Sequence, residues 1–135
     1  MENNQKIVCS NIWKLFGPNE KNVLSNLDQS LSRNEVQEKT GHVVAVKEVS
    51  FSVQKGETFV VMGLSGSGKS TLVRCLSRLI EPTSGLVTID GVDVTKMNNK
   101  ELTDLRRNRM SMVFQHFGLF PHRRVIENIG YGLEI

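Results

Sequence analysis

Nine consecutive residues, Gly63-Leu64-Ser65-Gly66-Ser67-Gly68-Lys69-Ser70-Thr71, restrict this chain more than any other stretch. They fit G-x-x-x-x-G-K-[ST], the P-loop pattern. The flanks agree with the letters. Thr58-Phe59-Val60-Val61-Met62 is the short apolar run expected of a buried parallel strand. Leu72, Val73, Leu76, Leu79 and Ile80 recur at helical spacing, which opens a helix near Lys69. A strand, a glycine loop and a helix in that order dictate an α/β core with a phosphate site where loop meets helix.

The chemistry follows from the residue types. Glycines at 63, 66 and 68 are expected to take positive φ and bring the backbone close to a ligand. Successive N–H groups then form an anion nest at a helix N-terminus, with the macrodipole adding positive potential. In that arrangement Gly63, Ser65, Gly66, Ser67 and Gly68 wrap the phosphates of a nucleotide. Lys69 reaches the β- and γ-phosphates, Ser70 ligates Mg²⁺, and Thr71 adds an α-phosphate contact.

At 135 residues there is room for one domain with a modest core. Apolar content of 39% and charged content of 23% belong to a soluble globular protein, and a net charge of +3 is too small to argue for nucleic acid. No apolar run approaches the roughly 20 residues of a membrane span, and the polar start is no signal peptide. Cys9 and Cys75 lack metal-ligand spacing; Cys75 reads as a small buried thiol, and both are expected to be reduced.

In chain order, Lys6 to Phe16 reads as a strand closed by Gly17-Pro18. Its Trp13 and Phe16 either stack on a base or cover the sheet edge. Residues 19–41 are polar, with two short helices predicted at about Glu20–Gln29 and Arg33–Lys39. Ser32 and Glu35 form a capping box for the second, and Gly41 stops it. This segment has too few apolar residues for its own core and reads as an insertion lying on a sheet. His42 reads as a surface residue. Val49, Phe51 and Val53 alternate with polar residues, as in a half-buried antiparallel strand. A further short strand spans Leu86 to Ile89 and ends in the Asp90-Gly91 turn. A helix then runs from Asn98-Asn99 to about Arg107. Arg106, Arg107 and Arg109 read as a solvated helix end or a partner patch. Met110 to Phe114 is predicted to be a second buried strand. If it neighbours the first in parallel, Gln115 emerges beside the P-loop, where it touches Mg²⁺ or a water, or is an ordinary loop residue.

Together these stretches resemble the ATP-binding subunit of ABC transporters. Asn11 to Gly17, the GLSGSGKST loop, Glu81 to Gly85, Ile89-Asp90-Gly91, Met112 to Gln115 and Leu119 to Pro121 carry the likeness. The insertion ending Glu38-Lys39-Thr40-Gly41 resembles the importers of glycine betaine, proline and related osmoprotectants; polar-amino-acid importers share much of the rest. The resemblance implies an ABC ATPase core with an N-terminal antiparallel β-subdomain and the helical insertion at 19–41. It puts Phe16 at the A-loop position that stacks on adenine and makes Trp13 structural. It puts Gln115 at the Q-loop, contacting Mg²⁺, with the loop from His116 to Arg124 facing the membrane permease. His116 and His122 lie near the site, but neither is the family's switch histidine. It also implies a second ATPase subunit, an indirect link to a substrate-binding protein, and a peripheral place on the cytoplasmic face of the inner membrane.

The family's Walker B strand, catalytic glutamate, signature motif, D-loop and switch histidine do not occur among these residues. The resemblance therefore implies the N-terminal part of a nucleotide-binding domain, inactive and marginally soluble by itself. Other readings are a small-molecule kinase or GTPase, a non-transport ABC protein, and a short nucleotide-binding protein without turnover.

Overall fold

A computed structural model describes residues 4–115 and 118–134. Two long strands, β1 (Gln5–Phe16) and β2 (Val43–Gln54), form the frame. Between them lie helices α1 (Glu20–Ser25) and α2 (Arg33–Thr40). The P-loop leads into α3 (Lys69–Leu76), followed by β3 (Ser84–Ile89) and β4 (Val92–Asp93). A 3₁₀ turn, Val94–Lys96, precedes α4 (Asn99–Asn108), and α5 (Val125–Glu134) comes last. The strands form one antiparallel sheet in the order β2-β1-β3-β4.

β1 is central and pairs on both edges. Its partners include Phe51 and Val87 opposite Cys9, Val49 opposite Ile12, and Val43 opposite Phe16. Register shifts interrupt both ladders and bend the strands. The two faces of β1 feed two cores. Cys9 and Ile12 pack with Val46, Leu72, Val87, Ile89, Val94, Leu102 and Leu105 beneath α3 and α4. Trp13 and Leu15 pack with Leu24, Val36 and Val44 beneath the helices of the insertion. Trp13 is thus a core residue.

Local chemistry explains the helix limits. Ser32 Oγ accepts the Glu35 N–H at 3.3 Å, Glu35 Oε2 accepts the Ser32 N–H at 2.8 Å, and Gly41 stops α2 at φ 71°. The same reciprocal pair, Asn98 with Glu101, starts α4. Asp90 and Gly91 both have positive φ, as a tight two-residue hairpin turn requires. The first insertion helix stops at Ser25, four residues short of Gln29, because the Asn22 carbonyl and Asn26 side chain bond there and Asp28 turns the chain onto Ser30. Arg106 does not extend into solvent: its guanidinium donates to the carbonyls of Ser77 and Arg78 at 3.0 and 2.8 Å, tying α4 to the end of α3. Arg109 pairs with Asp90.

Three expectations fail here. Residues 58–62 and 110–114 are extended but belong to no strand, and a cleft of about 630 Å³ lies between them. They are therefore not parallel neighbours. A buried parallel strand needs hydrogen-bonded strands beside it and cover on both faces. Among the described residues these segments have neither: Val60, Met62 and Val113 are largely exposed. Phe59 is held by stacking on Phe51 of β2, with ring centroids 4.7 Å apart. The third failure is α3, which ends at Leu76, so Leu79 and Ile80 leave the helical pattern.

Ile12 is fully buried at the centre of the larger core. Ile12→Ala is expected to destabilise the fold by about 2–5 kcal/mol, read as a lower urea midpoint at unchanged slope.

Candidate functional site

The loop between residues 62 and 69 is shaped by three glycines acting in two ways. Gly66 and Gly68 have φ of 76° and 99°, open to residues without a side chain. Gly68 also lies so close to the Ala45 carbonyl of β2 that a Cβ would collide with it. Gly63 departs from expectation: its φ is not positive, and its need is for space, since a Cβ would stand 2.7 Å from Ser67 Oγ.

The ladder of α3 begins with the Leu72 N–H donating to Gly68 O at 2.8 Å. The N–H groups of Lys69, Ser70 and Thr71 precede it and face the loop. Lys69 Nζ donates to the carbonyls of Gly63 and Leu64, both at 2.7 Å, and lies 3.4 Å from Ser67 Oγ. The ammonium is thus held at the mouth of the loop. Ser65 is exposed at its tip.

Phe16 comes to the same place from the far end of β1. With Val43, Val44, Ala45 and residues 66–71, it lines a cleft of about 240 Å³. Its ring is 41% exposed, and Lys14 Nζ sits 5.1 Å from the ring centroid. Lys14 is itself buried and donates to both carboxylate oxygens of Glu20 at 2.8 Å, which pins α1 beside the ring. Lys69 and Ser70 also line the larger cleft between the two extended segments, together with Gln115. The two clefts meet at Lys69 and Ser70. Aromatic ring, backbone cradle, ammonium, hydroxyl and amide thus fall along one continuous surface.

That donor set suits a polyanion more than a bare cation. Ser70 and Gln115 offer neutral oxygens, and no group of three or more His, Cys, Asp or Glu residues with metal-site geometry occurs among the described residues. A hard divalent ion fits here where phosphate oxygens complete its shell.

Two further groups belong to this neighbourhood although no sequence pattern signals them. Arg33, at the start of α2, places a guanidinium nitrogen 3.3 Å from the Ser67 carbonyl of the loop. His42, expected at the surface, is 4% exposed and packs against Gly17, directly after Phe16. Both are brought in by tertiary folding of residues 19–41. His122 packs edge-on against Phe120 and lines neither cleft. His116 lies outside the described residues.

Residues 46–134 match the family described as ABC transporter. The chain belongs to the ABC transporter family. This ABC chain is 52% identical over 130 residues to the glycine betaine/carnitine transport ATP-binding protein GbuA of Listeria monocytogenes, which covers 96% of the chain and 33% of the relative. It is also 52% identical over 129 residues to the trimethylamine N-oxide transport system ATP-binding protein TmoW of Pelagibacter ubique, covering 96% of the chain and 38% of the relative. A solved ATP-binding cassette, dimeric and bound to ADP and Pi in a post-hydrolysis state, superposes with a TM-score of 0.72 at 29% identity. That superposition covers 95% of the chain and 47% of the structure. The chain thus spans about a third of the length of the curated relatives it matches. No helix among the described residues is long and apolar enough to cross a membrane.

Beneath the site, burial pushes the Cys75 thiol of α3 up to about 11, with Lys14 opposing and Glu81 and Glu20 adding to the rise. Burial, then Cys75, pushes Cys9 up to about 12. Both are free thiols. At pH 8 neither is expected to react with a thiol-specific reagent until the fold opens, when both unfold to ordinary values near 8.5 and titrate rapidly.

Proposed function

We propose that this chain supplies the adenine-stacking, phosphate-binding and Q-loop part of the ATP-binding subunit of an ABC importer. The observation that carries this reading is the convergence of Phe16, the loop at 63–71 and Gln115 on two clefts that share Lys69 and Ser70. In it the adenine of ATP stacks on Phe16. The backbone of Gly63, Ser65, Gly66, Ser67 and Gly68 and the N–H groups of residues 69–71 surround the phosphates. Lys69 turns its ammonium from the loop carbonyls to the β- and γ-phosphates. Ser70 and Gln115 are the side chains that would hold Mg²⁺, which neutralises phosphate charge when bound.

The transported solute is proposed to be a small methylated zwitterion of the glycine betaine or proline betaine class. Support comes from matches that take in almost the whole chain, helical insertion included, to transport ATP-binding proteins for glycine betaine, carnitine and trimethylamine N-oxide. The working protein is proposed to be a dimer of ATPase subunits beneath a permease, at the cytoplasmic face of the membrane. The loop that follows Gln115 would meet the permease, and a substrate-binding protein would deliver solute. Residues 1–135 by themselves are proposed not to hydrolyse ATP, because no carboxylate among the described residues lines either cleft at Lys69.

In the intact protein, Lys69→Ala is expected to weaken Mg·ATP binding roughly tenfold or more and abolish hydrolysis, because a charge-assisted contact is lost. Calorimetric titration and phosphate release check this; wild-type-like turnover in the variant would sink the assignment. Gln115→Ala is expected to slow transport about fivefold or more while ATP affinity changes less than about twofold. Uptake measured beside nucleotide binding separates the two, and an equal fall in both would contradict the coupling role.

A further inference from the structure

The ring of His42 occupies an unusual position for a histidine at a strand entrance. It is 4% exposed, and no carboxylate pairs with it among the described residues. Its Nδ1 lies 2.8 Å from the Thr40 carbonyl at the end of α2, and its Nε2 lies 2.8 Å from the Pro18 carbonyl. Carbonyl oxygens only accept and a neutral imidazole carries a single N–H, so the neutral ring donates to one of the two carbonyls and only the imidazolium donates to both. The backbone N–H of His42 donates to Thr40 Oγ1 at 3.2 Å, and that hydroxyl donates to Val36 O at 2.7 Å. The imidazole therefore sits between the last turn of α2 and the chain just after Phe16, and in the tautomer with the proton on Nε2 it donates to Pro18 O.

Gly17 completes the fit. Its φ of 154° is unfavourable for other residues, and an added Cβ would come within 2.6 Å of His42 Nε2 and collide with the neighbouring ring carbon. The ring thus occupies the space that a side chain on Gly17 would need. Sheet pairing with Val43 fixes the chain as far as Phe16 and no further. Beyond it, the Pro18 carbonyl meets His42, and Glu20 two residues later pairs with Lys14, so the turn is held on both sides. The far end of α2 reaches the phosphate loop, through Arg33 on Ser67 O. One eight-residue helix thus reaches the cradle directly, through Arg33, and the turn behind the aromatic ring through His42.

We propose that His42 is the positioning residue that holds the Phe16-Gly17-Pro18 turn, and through it the aromatic ring, in stacking register with the phosphate loop. This makes recognition of the base, as distinct from the phosphates, depend on the helical insertion. It rests on the reading of Phe16 as the adenine-stacking residue. His42 touches no part of the phosphate cradle, so its removal acts on the base alone.

The test compares Mg·ATP with Mg·tripolyphosphate, which carries the phosphates without a base, by calorimetry on the intact protein. His42→Ala is expected to weaken ATP binding about fivefold while tripolyphosphate binding stays within about twofold. His42→Gln, whose amide can still donate to Pro18 O, is expected to recover most of the loss. Gly17→Ala, which displaces the ring from the other side, is expected to reproduce the ATP-only loss and decides the matter if His42→Ala does not fold. Equal losses for both ligands, or no loss for either, would overturn the proposal and leave His42 a packing residue. Phe16→Ala separates the layers. If it shows the ATP-only loss and the His42 and Gly17 variants do not, the positioning role alone falls. If Phe16→Ala shows no such split, the stacking reading fails and takes this proposal with it.

Discussion

Gly68 rests against the Ala45 carbonyl of β2 with no room for a side-chain atom between them. That contact ties the loop and α3 to the antiparallel sheet, two layers also joined through Leu72 and Leu76 at the larger core. Val43, two residues before Ala45 on β2, pairs with Phe16 at the end of β1. The distance from the Phe16 backbone to the cradle is consequently set by sheet register and by one glycine, which leaves the ring's own orientation to the turn behind it. Every other feature of the site is arranged around that approach, including the cleft shared by Phe16 and residues 66–71.

Electrostatics reinforce the arrangement with few charges. Lys14 is buried with Glu20 accepting from it, so a cation beside the Phe16 ring is compensated from the first residue of α1. Such a pair costs desolvation on both sides, and its stabilising effect depends on keeping both partners. Lys47 donates to Leu31 O and lies 5.8 Å from the Trp13 ring centroid, which anchors the approach to α2 in the same manner. The insertion is therefore held by apolar contact through Leu24 and Val36 and by lysines rising from the sheet.

Much of this was legible in the residues. The alternation at Val49, Phe51 and Val53, the Asp90-Gly91 turn, the Ser32–Glu35 capping pair and the buried Cys75 follow from local rules that tertiary structure did not override. The site was legible where its residues are consecutive, from 63 to 71. What local rules could not supply was placement across the fold. An apolar run such as residues 58–62 announces a buried strand, but a strand exists only where a neighbour offers hydrogen bonds, and none is described beside it. His42 carries no periodicity of its own, and its burial depends on a glycine at 17, where any side chain would collide with the ring. Gly63 was expected to matter through φ and instead matters through volume.

The connection between β1 and β2 runs through residues 17–42, long for neighbours in one sheet. An unstructured linker of that length would make the pairing of two 12-residue strands an encounter between distant ends. Closure entropy grows only slowly, by about 0.6 kcal/mol per doubling of length, yet it is incurred before any ladder bond forms. Two capped or anchored helical turns shorten the span the chain must search, so the insertion also acts as a brace during folding. On that view residues 19–41 influence how quickly the sheet assembles, apart from whatever they contribute once it has.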